Sequence, residues 1–93
     1  MIIHLVIKYF EDKENNRHPY HVGDIFPVKG YEVSDERIKE LETNDNRQKQ
    51  PLIEAVNLEK LKKHELIELA KNLNVELTDS ETKKEIIERI GEL

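Results

Sequence analysis

Hydrophobic residues in the last third of the chain recur with the spacing of two short helices. Apolar positions fall three or four residues apart in two sets, Leu66, Leu69, Ala70 and Leu73, and then Ile86, Ile90 and Leu93. This spacing predicts two helices that each bury one face. Val75 and Leu77 alternate with polar residues between the two sets, which predicts an extended connection. Residues 58–93 are therefore expected to form a helix–extended loop–helix module.

The ends of these two helices also carry local signals. Thr82 and Glu85 have the spacing of a capping box directly before Ile86 and Ile87. Asn74 follows the first helix, and asparagine tolerates the left-handed conformation that often ends a helix. The pattern therefore predicts a second helix that begins after Thr82 and a first helix that ends at Asn74.

The first half of the chain shows β-strand patterns instead. Alternation over Ile3–Tyr9 predicts a half-buried strand whose apolar face carries Ile3, Leu5, Ile7 and Tyr9. Residues 11–19 are polar and rich in turn formers, which predicts a loop. Tyr20–Phe26 is expected to form a second strand with a bulge or turn at Gly23–Asp24. Leu52–Val56 is the third strand candidate, because Pro51 is tolerated at the start of a strand.

One helix is predicted between the second and third strands. Ser34 is a good N-cap, and Asp35 and Glu36 place negative charge in the first turn, where the helix dipole favours it. Ile38 and Leu41 are expected to face inward, and the helix is expected to end before Thr43. The whole pattern predicts an α+β chain, with a three-stranded sheet and one helix over residues 1–57 and the two-helix module over residues 58–93.

Composition narrows the class of protein. The 93 residues carry a net charge of −5, with 37% hydrophobic and 38% charged residues. The charge is −3 over residues 1–57 (8 basic, 11 acidic) and −2 over residues 58–93 (7 basic, 9 acidic), so neither part has the basic excess of a dedicated nucleic-acid binder. No cysteine is present, which excludes disulfides and thiolate chemistry. No apolar run approaches the length of a membrane span, and a cytoplasmic protein is the expectation.

The C-terminal segment resembles a known superfamily. Residues 58–90, LEKLKKHELIELAKNLNVELTDSETKKEIIERI, share a pattern with the SAP, LEM, HeH and Rho N-terminal helix–extended loop–helix domains. The residues that carry the likeness are Leu66, Leu69, Ala70, Leu73, Val75, Lys84, Glu85, Ile86, Ile87 and Ile90. Two positions depart from the pattern: Lys62 stands where relatives often have Thr or Ser, and Asn74 stands where they usually have Gly. The likeness implies a binding module.

The complete chain is similar to the YqbF family of small proteins encoded among the head and tail genes of bacterial prophages. The likeness is strongest over residues 20–56, YHVGDIFPVKGYEVSDERIKELETNDNRQKQPLIEAV. It implies a phage-derived role related to the virion and brings no catalytic residues with it.

Candidate catalytic and metal-binding residues do not assemble into a recognised site. His64 and Glu68 approach the HExxH zinc motif, but Glu68 replaces the second histidine, so a solvated helix face is the better interpretation. His18 and His21 alone are too few to hold a metal ion. The three glycines are scattered and build no phosphate-binding loop. The sequence therefore predicts a protein that is not an enzyme and that has no cofactor, metal or small-molecule substrate.

Two surface features are candidate binding sites. Five lysines near the predicted helix starts could meet on one rim of the module and contact nucleic acid: Lys60, Lys62, Lys63, Lys83 and Lys84. Acidic residues interleave with them, and an ordinary mixed-charge surface is the simpler interpretation. Ile67 and Ile87 lie beside the apolar stripes and are expected to be partly exposed, where they could dock the N-terminal part of the chain or another protein.

Two hypotheses of function follow. The first is a non-enzymatic prophage accessory protein, an adaptor that binds other phage structural or assembly proteins in the cytoplasm or in the virion. The second is a nucleic-acid-binding module that acts through the five lysines. No membrane partner is expected.

Overall fold

The computed structural model describes residues 1–93 and contains two compact units. One unit comprises His4–Ala55, and the other comprises Met1–Ile3 together with Val56–Leu93. They are called here the N-terminal unit and the C-terminal unit. The sequence pattern predicts a division between residues 57 and 58, with residues 1–3 in the first part. In the structure, Met1–Ile3 belongs with the C-terminal unit instead.

A three-stranded sheet is present as predicted, but its second strand is shorter than the predicted Tyr20–Phe26, because Tyr20 pairs in the other sheet. Its strands are β1 (Ile2–Val6), β4 (Ile25–Phe26) and β5 (Ile53–Asn57), in the order β4–β1–β5. Strands β1 and β4 are antiparallel, with His4 opposite Phe26. The predicted turn at Gly23–Asp24 is confirmed: Gly23 has φ +95°, and its amide donates to the Val6 carbonyl at 2.8 Å.

A second, two-stranded sheet was missed by the sequence analysis. Residues 11–19 were predicted as a loop, but β2 (Phe10–Asp12) pairs antiparallel with β3 (His18–Tyr20). The Phe10 and Tyr20 rings stack across this hairpin, with centroids 5.1 Å apart. Asn16 and Arg17 both have positive φ in the turn. The hairpin was hidden because its connection is polar and lacks the glycine that usually marks such turns.

The predicted apolar face of the first strand is correct only in part. Ile3 and Leu5 are half-buried, but Ile7 and Tyr9 are 40% and 45% exposed. The strand ends at Val6, which points to the opposite side and is buried. The alternation was misleading because β1 is the central strand and contributes to both cores: Ile3 packs in one, and Val6 belongs to the other.

The predicted helix of the N-terminal unit is confirmed as α1 (Asp35–Glu42). The Ser34 hydroxyl accepts a hydrogen bond from the Arg37 amide at 3.2 Å, which satisfies one of the free amides at the helix start. Leu41 is buried and Ile38 packs against the same core. Besides Leu41, the buried members of this core are Val6, Phe10, Tyr20, Phe26, Leu52 and Ile53.

The C-terminal unit contains helices α2 (Lys63–Asn72) and α3 (Lys83–Gly91), joined by an extended loop. Its buried core is formed by Leu58, Leu66, Ala70, Ile86, Ile87 and Ile90. Asn74 has φ +62°, and the Val75 amide donates to the Ala70 carbonyl at 2.8 Å while the Asn74 amide donates to Lys71 at 3.1 Å. These two bonds form the Schellman motif that ends α2.

The start of α3 is also as predicted. The Glu85 amide donates to the Thr82 hydroxyl at 3.2 Å, and the Thr82 amide donates to Glu85 Oε1 at 3.1 Å. Met1–Ile3 joins this unit because the Leu58 amide donates to the Met1 carbonyl and Ile3 packs against the core. The longest helix, α2, has ten residues, and no helix combines the length and apolarity needed to cross a membrane.

Candidate functional site

A groove in the C-terminal unit lies beside the exposed face of α2. Leu66 and Ala70 on this helix are fully buried. Ile67 follows Leu66, lies about 100° from it round the helix axis, and is 42% exposed. The groove has a volume of about 210 Å³, and its lining residues are Lys63, Ile67, Leu77, Thr78, Asp79, Glu81 and Ile86. An apolar side chain is therefore open to a partner at the edge of a concave surface.

Ile87 does not contribute to this surface. The sequence pattern predicts that Ile87, like Ile67, is partly exposed. The exposure of Ile67 is confirmed, but Ile87 is only 9% exposed and belongs to the core of the unit. The reason is the width of the buried stripe on α3. It includes the adjacent residues Ile86 and Ile87 as well as Ile90, whereas a narrow stripe buries only about one residue per turn.

Glu81 is a buried carboxylate in the wall of this groove. Its residue exposure is 4%, and its Oε1 atom forms an ion pair with Arg89 Nη2 at 2.7 Å. The other carboxylate oxygen, Oε2, is buried and has no hydrogen-bond partner in the protein. Arg89 is half-exposed and its Nη1 also approaches the Glu76 carbonyl, at 3.4 Å. Glu81 is one of the acidic residues that interleave with the lysines in the sequence, and its burial was not predicted because it depends on how the extended loop folds back on α3.

The lysines predicted to share a rim are placed around the starts of α2 and α3. The Lys83 ammonium donates to the Glu59 carbonyl at 2.8 Å, so it reaches the turn that carries Lys60. Hydrogen bonds from Thr82 chiefly lower the pKa of the Glu85 carboxyl, and the nearby Lys63 ammonium lowers it further. Lys83 is half-buried, and the other four lysines are exposed: Lys60, Lys62, Lys63 and Lys84.

Carboxylates neutralise much of this rim. Hydrogen bonds from the Thr82 amide and hydroxyl are the main cause that lowers the pKa of Glu85. The pKa of Glu59 is lowered chiefly by a hydrogen bond from the Met1 amine. Both carboxyls are therefore anionic at neutral pH. At the start of α2, Glu65 accepts a hydrogen bond from the Lys62 amide at 2.9 Å, which occupies an amide that could otherwise bind phosphate.

The N-terminal unit has its own buried charges. Arg37 is held by three carboxylates: its Nη2 lies 2.9 Å from Asp12 Oδ1, its Nε 3.2 Å from Glu14 and its Nη1 3.5 Å from Glu40. Arg37 and Glu40 also line a cavity of about 400 Å³. Because its guanidinium is already surrounded by negative charge, Arg37 is poorly suited to bind an anionic ligand, and the cluster is a structural element.

The histidines contact protein groups at separate positions. The His18 ring lies 4.8 Å from the Tyr20 ring, the His21 ring lies 5.1 Å from the Tyr9 ring, and His4 Nε2 is 3.6 Å from Glu42. His64 is exposed on α2. No group of three or more His, Cys, Asp or Glu residues could hold a metal ion.

Comparison of the chain with protein-family models, with curated proteins and with solved structures gives no match.

Proposed function

We propose that the protein is a non-enzymatic adaptor that docks onto another protein through the groove beside Ile67. One observation carries the proposal: the C-terminal unit has a closed apolar core of its own, and yet it holds Ile67 42% exposed at the edge of a concave surface. Exposed apolar side chains beside a groove are typical anchors in protein interfaces. The chemistry of this groove supports a binding role rather than catalysis.

The setting of this role comes from sequence resemblance. The likeness to YqbF-type proteins supports a partner among phage head, tail or assembly proteins. The likeness of the C-terminal unit to HeH and SAP domains supports its use as the docking element. In this proposal the adaptor acts in the cytoplasm during assembly and is carried into the virion if its partner is.

The distribution of charge favours a protein partner over nucleic acid. Five lysines that all met phosphates would produce a strongly salt-dependent affinity. Here Lys83 is occupied by the Glu59 carbonyl and has the anionic Glu59 beside it, and the anionic Glu85 lies near Lys63. The C-terminal unit also carries a net charge of −2. This balance opposes the approach of a phosphate backbone.

A fluorescence anisotropy titration separates the two hypotheses. The full chain is titrated against labelled duplex DNA and single-stranded RNA at about 50 mM and about 200 mM salt. We expect no binding at either salt concentration. Binding that weakens with salt, and that is abolished by Lys83→Glu together with Lys84→Glu, would establish the nucleic-acid hypothesis instead.

A capture experiment tests the docking surface itself. Tagged full-length protein is recovered from cells in which a prophage of this type has been induced, and the retained proteins are identified by mass spectrometry. We expect a head, tail or assembly protein that is lost with Ile67→Gln and retained with Val22→Gln. Val22 is the matched control because it is 67% exposed and lies in the other unit. Equal capture by both variants would contradict the proposal.

A further inference from the structure

The unpartnered oxygen of Glu81 indicates what kind of group the groove accepts. Glu81 is 4% exposed, and only Oε1 of its carboxylate is paired, with Arg89. Oε2 is shielded from water and accepts no hydrogen bond. A buried acceptor without a donor is unfavourable, and native proteins satisfy nearly all such groups. A partner that supplied a donor at Oε2 would therefore gain a hydrogen bond that the free protein lacks.

The acceptor itself, a carboxylate oxygen, favours a cationic donor. The lining of the groove includes two carboxylates, Glu81 and Asp79, and one ammonium group, Lys63. Asp79 is exposed in the turn that precedes Glu81 and attracts a cation, whereas Lys63 and the Arg89 that pairs with Glu81 oppose its approach. Hydrogen bonds between a cation and a carboxylate are shorter and stronger than those between neutral groups.

The apolar residues of the lining favour an aliphatic side chain next to that cation. Ile67 is exposed, Leu77 is half-buried and Ile86 is buried in the lining. A volume of about 210 Å³ is small and suits one or two side chains rather than a folded element. An aliphatic side chain packed on Ile67 and Leu77 would exclude water from the adjacent charged contact, which strengthens that contact.

We propose that the groove binds a partner segment in which a lysine or arginine stands next to an aliphatic residue. The aliphatic side chain packs on Ile67 and Leu77, and the cation donates to Glu81 Oε2. Because Oε2 is closed to solvent in the free protein, Glu81 rotates slightly as the cation binds while its bond to the half-exposed Arg89 is kept. This inference rests on the proposed docking function and names the chemistry of its partner.

Two peptide libraries test the inference on the full-length protein. Both contain hexapeptides with randomised aliphatic residues around one fixed position, which is arginine in the first library and glutamate in the second. Binding is followed by ¹H–¹⁵N correlation spectra. We expect the arginine library to bind at least tenfold more tightly and to shift the amide signals of the groove, namely those of Ile67, Leu77, Asp79, Glu81 and Ile86.

The variants separate charge recognition from folding. Glu81→Gln should remove the preference for arginine, whereas Glu88→Gln, a matched change at an exposed position of α3, should leave it intact. If Glu81→Gln lowers the helical signal, Asp79→Asn replaces it as the test, and the preference should fall severalfold.

Three results would overturn the inference: equal affinity for both libraries, a preference that survives Glu81→Gln and Asp79→Asn, or spectral shifts outside the groove. The docking proposal fails separately, when Ile67→Gln captures the same proteins as the unaltered chain. Loss of capture with Ile67→Gln and no preference for arginine would leave docking intact and refute only the charge recognition.

Discussion

Separate and combined replacement of Asp12 and Arg37 tests how buried charge stabilises the N-terminal unit. Asp12 is completely buried, and its Oδ1 accepts hydrogen bonds from Arg37 Nη2 at 2.9 Å and from the Glu14 amide at 3.1 Å. Its Oδ2 has no partner. Arg37 has two further carboxylates within reach, those of Glu14 and Glu40, and both are partly exposed. If the pair is broken, Arg37 therefore keeps two other carboxylates as partners, whereas Asp12 keeps only the Glu14 amide.

This difference in remaining partners sets the expected loss of stability for each variant. Arg37→Met leaves the Asp12 carboxylate buried with one amide donor, and breaking a buried pair in this way costs about 4 kcal/mol. Asp12→Asn keeps the shape and an acceptor oxygen, and Arg37 retains Glu14 and Glu40, so the cost should be about 2 kcal/mol. Adding Asp12→Asn to Arg37→Met removes the unpaired charge. The double variant should therefore be more stable than Arg37→Met by at least about 1 kcal/mol.

Tyrosine fluorescence makes the measurement specific to this unit. The chain has three tyrosines and no tryptophan, and Tyr9, Tyr20 and Tyr31 all lie in the N-terminal unit. Urea unfolding followed by this signal gives the free energy of unfolding from the midpoint and slope. The reasoning is refuted if Asp12→Asn costs more than Arg37→Met, or if the two effects add within about 0.5 kcal/mol.

Four further predictions concern single positions. Leu66→Ala should lower the stability of the C-terminal unit by about 2–5 kcal/mol, measured by ellipticity at 222 nm in urea, because Leu66 is fully buried; the exposed Ile67→Ala serves as control and should change it far less. Asn74→Ala should be about 1 kcal/mol less stable than Asn74→Gly in the same assay, since residue 74 has φ +62°. The pKa of Glu85 is lowered from its usual 4.5 by hydrogen bonds from Thr82. The contribution of Glu85 to stability is therefore present above pH 4.5 and lost as the pH falls through the lowered value. The melting temperature of Glu85→Gln should depend less on pH in this acidic range than that of the unaltered chain. An equal dependence in both proteins would contradict this. Burial raises the pKa of Tyr20 above 10.0, so stability is lost as the pH rises through that raised value. Alkaline titration of Tyr20→Phe should show less loss of stability, and an equal loss in both proteins would refute this.

Much of the local structure followed from residues close together in the sequence. The Ser34 cap, the box formed by Thr82 and Glu85, and the left-handed Asn74 were each predictable, because a helix end is satisfied by groups within a few residues of it. The apolar stripes of α2 and α3 followed from helix geometry in the same way. The exposed Ile67 of the candidate groove was also predicted, because it lies just outside such a stripe.

The features that the sequence left open depend on contacts between distant residues. The bond between Asp12 and Arg37 and the place of Met1–Ile3 in the C-terminal unit both join segments whose pairing no local pattern encodes. The helix pattern does not decide whether Ile87 is buried, and the charge of Glu81 favours exposure. Both residues are buried because of tertiary packing. The sequence alone determined where helices begin, end and present apolar residues, whereas tertiary packing determined which charges lose their water and which oxygen is left without a donor.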